Sequence, residues 1–280
     1  MDEISLGFSP CPNDTFIFDA WVNGRIPSDF GVKPLLADVE HLNRMALHAQ
    51  LDVTKLSFAT AARVADKYQI LPAGSALGQG CGPLIVRRAD AEVNGRPPRI
   101  AIPGNYTTAN LLLSIFYPHW TDKREMLFSE IESAVVNGDV DLGLIIHENR
   151  FTYQDKGLAK FDDLGERWEQ EFNFPIPLGC IAIRRDMPDA VKRSVARTIR
   201  QSTEWALAHP ADSSEYVAKH AQEMTPDVQR QHIALYVNGF SVDLGVQGQA
   251  AIRHLFHRGY DSGLLPECAE PLFLDNNISA

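Results

Sequence analysis

The chain has 280 residues, of which 45% are hydrophobic and 22% are charged. This length suits two α/β lobes better than one compact core. The formal net charge of −10 disfavours nucleic acid as a partner, because the phosphate backbone attracts a basic surface. A small anion remains compatible, since one lysine and the N-termini of helices can bind it inside an acidic protein.

The N-terminal residues and the cysteines favour a reducing, cytoplasmic location. The chain begins Met-Asp-Glu-Ile-Ser, without a basic segment that leads into an apolar one, so we expect no secretory signal. No apolar run reaches the ~18–20 residues of a membrane helix, and no membrane span is expected. The four cysteines form no Cys-x-x-Cys pair, which predicts neither a disulfide framework nor a zinc ligand set. The sequence does not predict the oligomeric state.

Short apolar strands alternate with helical stretches, which is typical of βαβ units. Strands are predicted at 4–8, 32–36, 53–56, 84–87, 99–102, 140–146 and 180–184. Helices are predicted from 13 or 14 to about 23, at 39–49, near 58, and at 107–116, 129–137, 162–171, 188–208, 212–223, 226–237 and 246–258. The glycine-rich stretch 74–82 predicts irregular backbone, and the prolines within 174–179 predict a crossover between lobes.

The pattern predicts a discontinuous larger lobe and an inserted smaller one. The larger α/β lobe comprises 1–88 and 178–280, the linker is 89–97, and the smaller α/β lobe is 98–177. Each lobe is expected to be a mainly parallel sheet flanked by helices. The two crossovers should act as a hinge, so that the lobes close on a ligand.

Ligands of open parallel sheets bind beyond the carboxyl ends of the strands, so the residues just after each strand are the candidates for a site. The first strand leads into a loop that holds Ser9, Asn13 and Asp14, the third ends at Lys55, Leu56 and Ser57, and two later strands precede Thr107, Thr108 and His147. A cleft between the lobes would bring these groups together.

His147 follows the apolar segment 140–146, and imidazole is the side chain best suited to accept a proton near neutral pH. The alternative is a histidine at a strand end that only hydrogen-bonds to nearby backbone. His147-Glu148 begins like the zinc motif His-Glu-x-x-His, but residue 151 is Phe. We therefore expect no metal at this position. Cys11 could be a reactive thiol, although a packing role is favoured because no basic residue lies beside it in sequence.

Two features could bind an anion. Thr107 and Thr108 open a helix after a glycine turn, where free N–H groups and the helix dipole favour negative charge. Taken alone, this pattern favours a simple N-cap over an anion site. Lys55 lies in an otherwise apolar segment and needs a partner, either a substrate carboxylate or a structural acid. The glycines of 74–82 lack the strand and helix of a dinucleotide-binding motif, so no dinucleotide site is predicted there.

Several longer strings occur together and in a fixed order. They are SPCPNDTF at 9–16, TKLS at 54–57, LGQGCGP at 77–83, TTA at 107–109, GLIIHE at 143–148, RFTY at 150–153 and PIPLG at 175–179. Over nearly the whole chain this set resembles the 1,4-dihydroxy-6-naphthoate synthase family of the futalosine route to menaquinone.

The resemblance implies a two-lobed fold of the type II periplasmic-binding-protein kind, with the ligand between the lobes. It implies a lyase that converts the carboxylated substrate cyclic dehypoxanthine futalosine into 1,4-dihydroxy-6-naphthoate, without metal or organic cofactor. His147 would be the proton acceptor, and Lys55 to Ser57 with Thr107 and Thr108 would bind substrate. The alternatives are chorismate dehydratase of the same pathway and a non-catalytic small-molecule-binding protein of the same fold.

Overall fold

A computed structural model of the protein describes residues 3–92, 97–221 and 225–275. Over these residues the strands are β1 Glu3–Phe8, β2 Gly31–Leu36, β3 Val53–Ser57, β4 Tyr68–Ile70, β5 Ala76–Gly78, β6 Leu84–Arg88, β7 Ile100–Ile102, β8 Lys123–Glu125, β9 Leu142–Ile145, β10 Leu158–Asp163 and β11 Ile176–Arg184. The α-helices are α1 Pro12–Val22, α2 Val39–Leu47, α3 Phe58–Arg63, α4 Thr108–Phe116, α5 Phe128–Asn137, α6 Asn149–Thr152, α7 Leu164–Phe172, α8 Asp189–Ala208, α9 Ser214–His220, α10 Pro226–Tyr236, α11 Gly239–Val242 and α12 Gly245–Asp261. One 3₁₀ turn, Tyr153–Lys156, follows α6.

The strands form two sheets, one for each lobe. The first has the order β2-β1-β3-β11-β4, with β5 also paired to β11, and the second has the order β10-β6-β9-β7-β8. The two-lobed α/β class is therefore confirmed. Each sheet is mixed rather than mainly parallel, because β11 runs antiparallel to β3 in the first sheet and β6 runs antiparallel to β9 in the second.

The boundaries of the two sheets differ from those predicted. The sequence assigned residues up to 88 to the larger lobe, but β6 pairs with β9 and β10 in the second sheet. The last strand begins at Ile176, earlier than predicted, and its pairing shifts register between Pro177 and Gly179, which accommodates a residue without an N–H group. The chain thus passes between the sheets at 79–83 and 173–175. Of the predicted linker 89–97, residues 93–96 lie outside the described residues, as do 222 and 223 of the helix predicted at 212–223.

The glycine-rich stretch is also more regular than predicted, since residues 76–78 form β5. Its glycines let two backbones meet: a Cβ at Gly82 would lie 2.3 Å from Cα of Gly165, in the first turn of α7. A side chain at Gly82 would force α7 away from the start of β6.

One apolar cluster joins the two lobes. It combines Leu56 of β3 with Ile85 of β6, Leu142 of β9, Trp168 of α7 and Ile252 of α12, all completely buried. Close packing of this shared cluster fixes the positions of the two sheets relative to each other. Among the described residues, no helix is both long and apolar enough to cross a bilayer.

We expect Gly82→Ala to lower the free energy of unfolding by about 1–3 kcal/mol, because the added methyl group overlaps backbone that cannot rotate away. Urea titration followed by circular dichroism would measure it. Gly239→Ala is the matched control, since a Cβ there meets nothing within 4 Å. Equal midpoints for the two variants would show that the Gly82–Gly165 contact is not tight.

Candidate active site

A cavity lies where strands of both sheets end, and it holds about 670 Å³ of space, including the part open to solvent. The cavity has this position because β1 and β3 are parallel neighbours, as are β7 and β9, and the carboxyl ends of parallel neighbours lie at the same edge of a sheet. The structure brings all nine predicted site residues to its wall: Ser9, Asn13, Asp14, Lys55, Leu56, Ser57, Thr107, Thr108 and His147. Residues not predicted also line it, among them Cys81, His232 and Tyr236.

Lys55 and Asp14 form a buried ion pair on one wall. Nζ of Lys55 lies 2.6 Å from Oδ1 of Asp14, and the two side chains are only 7% and 1% exposed. The other carboxylate oxygen, Oδ2, accepts from the Ser9 hydroxyl at 2.7 Å. Asp14 also lies in the first turn of α1, where the helix dipole stabilises its charge. The structural acid that the sequence allowed as the partner of Lys55 is thus Asp14.

His147 adopts a backbone conformation that is rare outside glycine, with φ of 59°. This conformation ends β9 abruptly and directs the half-buried imidazole toward the N-terminus of α1. Nδ1 lies 3.4 Å from Sγ of Cys11, and the ring of Phe128 packs edge-on with its centroid 5.0 Å away. Nε2 has no hydrogen-bond partner among the described residues. One ring nitrogen therefore contacts Cys11, and the other is a buried nitrogen without a hydrogen-bond partner among the described residues.

Cys11 is buried at the N-cap of α1. Burial, and secondarily the charge of Glu148, raises the pKa of its thiol well above the usual value. The protonated thiol is a poor nucleophile, which agrees with the predicted packing role. Its contact with His147 could not be predicted, because the two residues are 136 positions apart.

His232 is a buried residue of the site that the sequence interpretation missed. It lies on α10, and its Nε2 is 2.9 Å from Oδ1 of Asn13. Since Nδ2 of Asn13 donates to Asp14 at 2.8 Å, Oδ1 must accept, and Nε2 of His232 carries the hydrogen. Burial first, and then the charges of His147 and Lys55, lower the pKa of His232 well below its usual value, so the ring is neutral.

A helical signal for His232 was present in the sequence. Gln229, His232 and Tyr236 are all buried and lie at spacings of three and four, which places them on one face of α10. Sequence analysis identified His147 as a candidate site residue and missed His232.

The two threonines use their hydroxyl groups within the protein. Oγ1 of Thr107 caps α4 by accepting from the N–H of Asn110 at 3.2 Å. Oγ1 of Thr108 accepts from the N–H of Ala59 and donates to the carbonyl of Leu178 at 2.7 Å, which ties α4 to the first lobe. The first N–H groups of α4 still lack acceptors within the helix, so this end of the cavity favours an anion.

A second link between the lobes centres on Glu40 of α2, a residue the sequence interpretation also missed. Its carboxyl accepts from the N–H of Tyr106 at 3.1 Å and from Asn43 at 3.3 Å, and Asn43 in turn bonds to Ser57. The carboxyl is 6% exposed. Burial raises the pKa of Glu40 to about 7, although the hydrogen bonds from Asn43 and Tyr106 oppose the shift.

Glu40→Gln should stabilise the protein more at pH 8 than at pH 5. The folded chain retains a proton that an unfolded glutamate has already lost, so the stability contributed by Glu40 falls as the pH rises from its usual pKa to about 7. Glutamine removes this titration, and the difference between the two pH values should be about 2–3 kcal/mol. Urea unfolding at both pH values measures it. Exposed Glu171→Gln should show no such difference, and a pH-independent effect of Glu40→Gln would contradict the assignment.

Three side chains here could hold a metal ion. One donor atom from each of Cys11, His147 and Glu148 lies within 4.8 Å of the others. The sequence predicted no zinc ligand set because zinc motifs are recognised by donors at short spacings. These three donors come from two lobes. Spacing alone therefore cannot predict a cluster whose donors are distant in sequence.

The fold and the cavity define a class of protein: a two-lobed α/β protein whose ligand site lies between two mixed sheets. The ligand-binding component of an ABC-type import system from Staphylococcus aureus shares this fold, with a TM-score of 0.75 over 98% of this chain and 97% of that one, at 14% identity. A crystal structure of a protein from Archaeoglobus fulgidus is more similar, with a TM-score of 0.89, 35% identity and coverage of 94% and 98%.

Residues 4–261 match the family model described as menaquinone biosynthesis. A 1,4-dihydroxy-6-naphthoate synthase from Thermus thermophilus is 44% identical over 275 residues, which cover 98% of this chain and 100% of that protein. The chain therefore belongs to this menaquinone biosynthesis family of enzymes, as the motifs predicted.

Proposed function

We propose that this chain converts cyclic dehypoxanthine futalosine into 1,4-dihydroxy-6-naphthoate and releases the ribose-derived fragment. The name of the Thermus relative supports the product, and the observation that carries the chemistry is the unpartnered Nε2 of His147 in the cavity. No donor among the described residues occupies the lone pair of Nε2, so a neutral His147 with its hydrogen on Nδ1 can take a proton from a bound ligand.

In the proposed reaction His147 removes a proton beside a carbonyl group of the substrate. For Nε2 to accept, Nδ1 must carry a hydrogen and donate it to Sγ of Cys11, which the 3.4 Å separation permits. The bond to the ribose-derived fragment then breaks, and formation of the aromatic diol drives the step. These reaction steps transfer protons and cleave a carbon skeleton without net oxidation.

The substrate carboxylate is proposed to bind at the N-terminus of α4, beside Thr107 and Thr108. Lys55 is the other anchor that the sequence predicted, but Asp14 already balances its charge. Lys55 retains N–H donors beyond the one directed at Asp14, so it can still donate a hydrogen bond to a developing oxyanion. The N-terminus of α4 would thus bind the carboxylate at one end of the ligand, and Lys55 would donate to the oxyanion at the other end.

Incubation of the purified protein with cyclic dehypoxanthine futalosine, followed by chromatography and mass spectrometry, tests the proposal. We expect 1,4-dihydroxy-6-naphthoate with substrate and no dehydration product with chorismate. Conversion of chorismate would assign the chain to chorismate dehydratase. Binding of either compound without turnover would make it a binding protein of this fold.

We further propose that the lobes close on the ligand about the crossovers at 79–83 and 173–175. The links from Glu40 to Tyr106 and from Thr108 to Ala59 and Leu178 hold the lobes together, and a ligand that touches both walls would strengthen the closed state. Small-angle scattering with saturating product should show a smaller radius of gyration than without it. Superimposable profiles would contradict closure.

A further inference from the structure

We propose that Cys11, His147 and Glu148 form a binding site for one divalent cation with the ligand preferences of Zn²⁺, and that this cation clamps the lobes together and blocks turnover. Each residue offers one donor atom, and all three atoms lie within 4.8 Å of one another. Thiolate, imidazole and carboxylate are the three ligand types that zinc prefers in proteins.

The spacing of the donors suits tetrahedral coordination. Zinc bonds of ~2.3 Å to sulfur and ~2.1 Å to nitrogen place the two ligand atoms about 3.5 Å apart at a tetrahedral angle. Sγ of Cys11 and Nδ1 of His147 are 3.4 Å apart, so these two ligands need no rearrangement to share a cation. The left-handed backbone of His147 holds the ring in this place.

Two buried acceptors that lack partners point to a cation at the same place. Glu148 is 4% exposed and His232 is 1% exposed, and Oε2 of Glu148 lies 3.8 Å from Nδ1 of His232. Neither atom has a hydrogen-bond partner among the described residues. Because Nε2 of His232 donates to Asn13, the neutral ring turns a lone pair toward the carboxylate. A cation bound to Glu148 relieves this opposition.

The charge balance also favours a divalent cation. Binding replaces the thiol proton of Cys11, which leaves to solvent, and a thiolate with a carboxylate then balances the two positive charges. A neutral cluster is far less costly to bury than an isolated ion.

The ligands come from both lobes, so a bound cation would fix their separation. Cys11 precedes α1 of the first lobe, whereas His147 and Glu148 follow β9 of the second. The cation would also occupy the imidazole that is proposed to act as base. The predicted inhibition therefore rests on the proposed function, but cation binding does not.

Titration with Co²⁺ tests the site, because a cobalt–thiolate bond gives a charge-transfer absorption in the near ultraviolet. The background is Cys268→Ser, which removes the half-exposed thiol outside the cavity. We expect one Co²⁺ per chain with this band, displaced by Zn²⁺. Adding Cys11→Ser should abolish the band, and Glu148→Gln, which keeps the shape of the side chain, should weaken binding at least about tenfold.

Absence of a stoichiometric band, or an unchanged band after Cys11→Ser, would overturn the site. Turnover by the wild-type protein should fall in proportion to bound Zn²⁺ and return with a chelator, whereas full activity of the zinc-bound protein would overturn the blocking role. If the chelated protein shows no synthase activity at all, the proposed function fails while the cobalt titration still decides whether the site exists.

Discussion

Replacing His147 by asparagine should lower kcat for conversion of cyclic dehypoxanthine futalosine by ~10²–10⁴-fold, the contribution of a positioned general base. Asparagine is the informative substitution, because it tolerates the positive φ of 59° found here better than alanine does. The fold should therefore be retained, with a change in unfolding free energy within about 1 kcal/mol. Steady-state kinetics and thermal unfolding of the same preparation measure both effects.

His119→Asn is the matched control, since this histidine is exposed and lies outside the cavity. Its kinetics should equal those of the wild type. A His147→Asn protein that turns over at a near-normal rate would show that another group removes the proton. A loss of activity accompanied by a large loss of stability would instead indicate a structural role for His147.

Lys55→Met should destabilise the protein by about 3–5 kcal/mol, the cost of leaving one member of a buried ion pair uncompensated. The reason is Asp14, which is 1% exposed and would lose its ion-pair partner, the ammonium group 2.6 Å away. Methionine fills a similar volume, so the loss would come from charge and not from a cavity. Urea unfolding at neutral pH gives the value.

The double variant Lys55→Met/Asp14→Asn separates the structural role of Lys55 from substrate binding. Removing both charges should recover much of the lost stability, whereas the affinity for substrate should remain reduced if Lys55 also donates to the ligand. Wild-type stability in Lys55→Met would show that Lys55 is not required to compensate Asp14. Wild-type substrate affinity in the double variant would remove Lys55 from the binding site.

The strand-end rule explains why so much of the cavity could be predicted from sequence. Ser9, Ser57 and His147 each follow an apolar strand, and parallel pairing brings such positions to one edge of each sheet whatever the details of packing. The directions of β6 and β11 were not predictable in this way. Whether a strand pairs parallel or antiparallel depends on its partner. The strand β11 pairs with β3 and β4, and both lie more than 100 residues away in sequence.

The residues that were missed owe their positions to long-range packing. His232 enters from a helix in the last fifth of the chain, and Glu40 lies on a helix whose other face is solvent-exposed. Locally, only the helical spacing of Gln229, His232 and Tyr236 marks His232, and nothing marks Glu40. The desolvation that shifts the pKa values of both residues exists only after the lobes meet. The Cys11–His147 contact has the same origin.

The most direct test of the central claim, that His147 acts on a substrate held between the lobes, is a crystal structure of His147→Asn soaked with cyclic dehypoxanthine futalosine. We expect intact substrate in the cavity, with its carboxylate at the N-terminus of α4 and the carbon that loses a proton next to residue 147. Substrate bound elsewhere, or bound with the carbon that loses a proton remote from residue 147, would contradict the account.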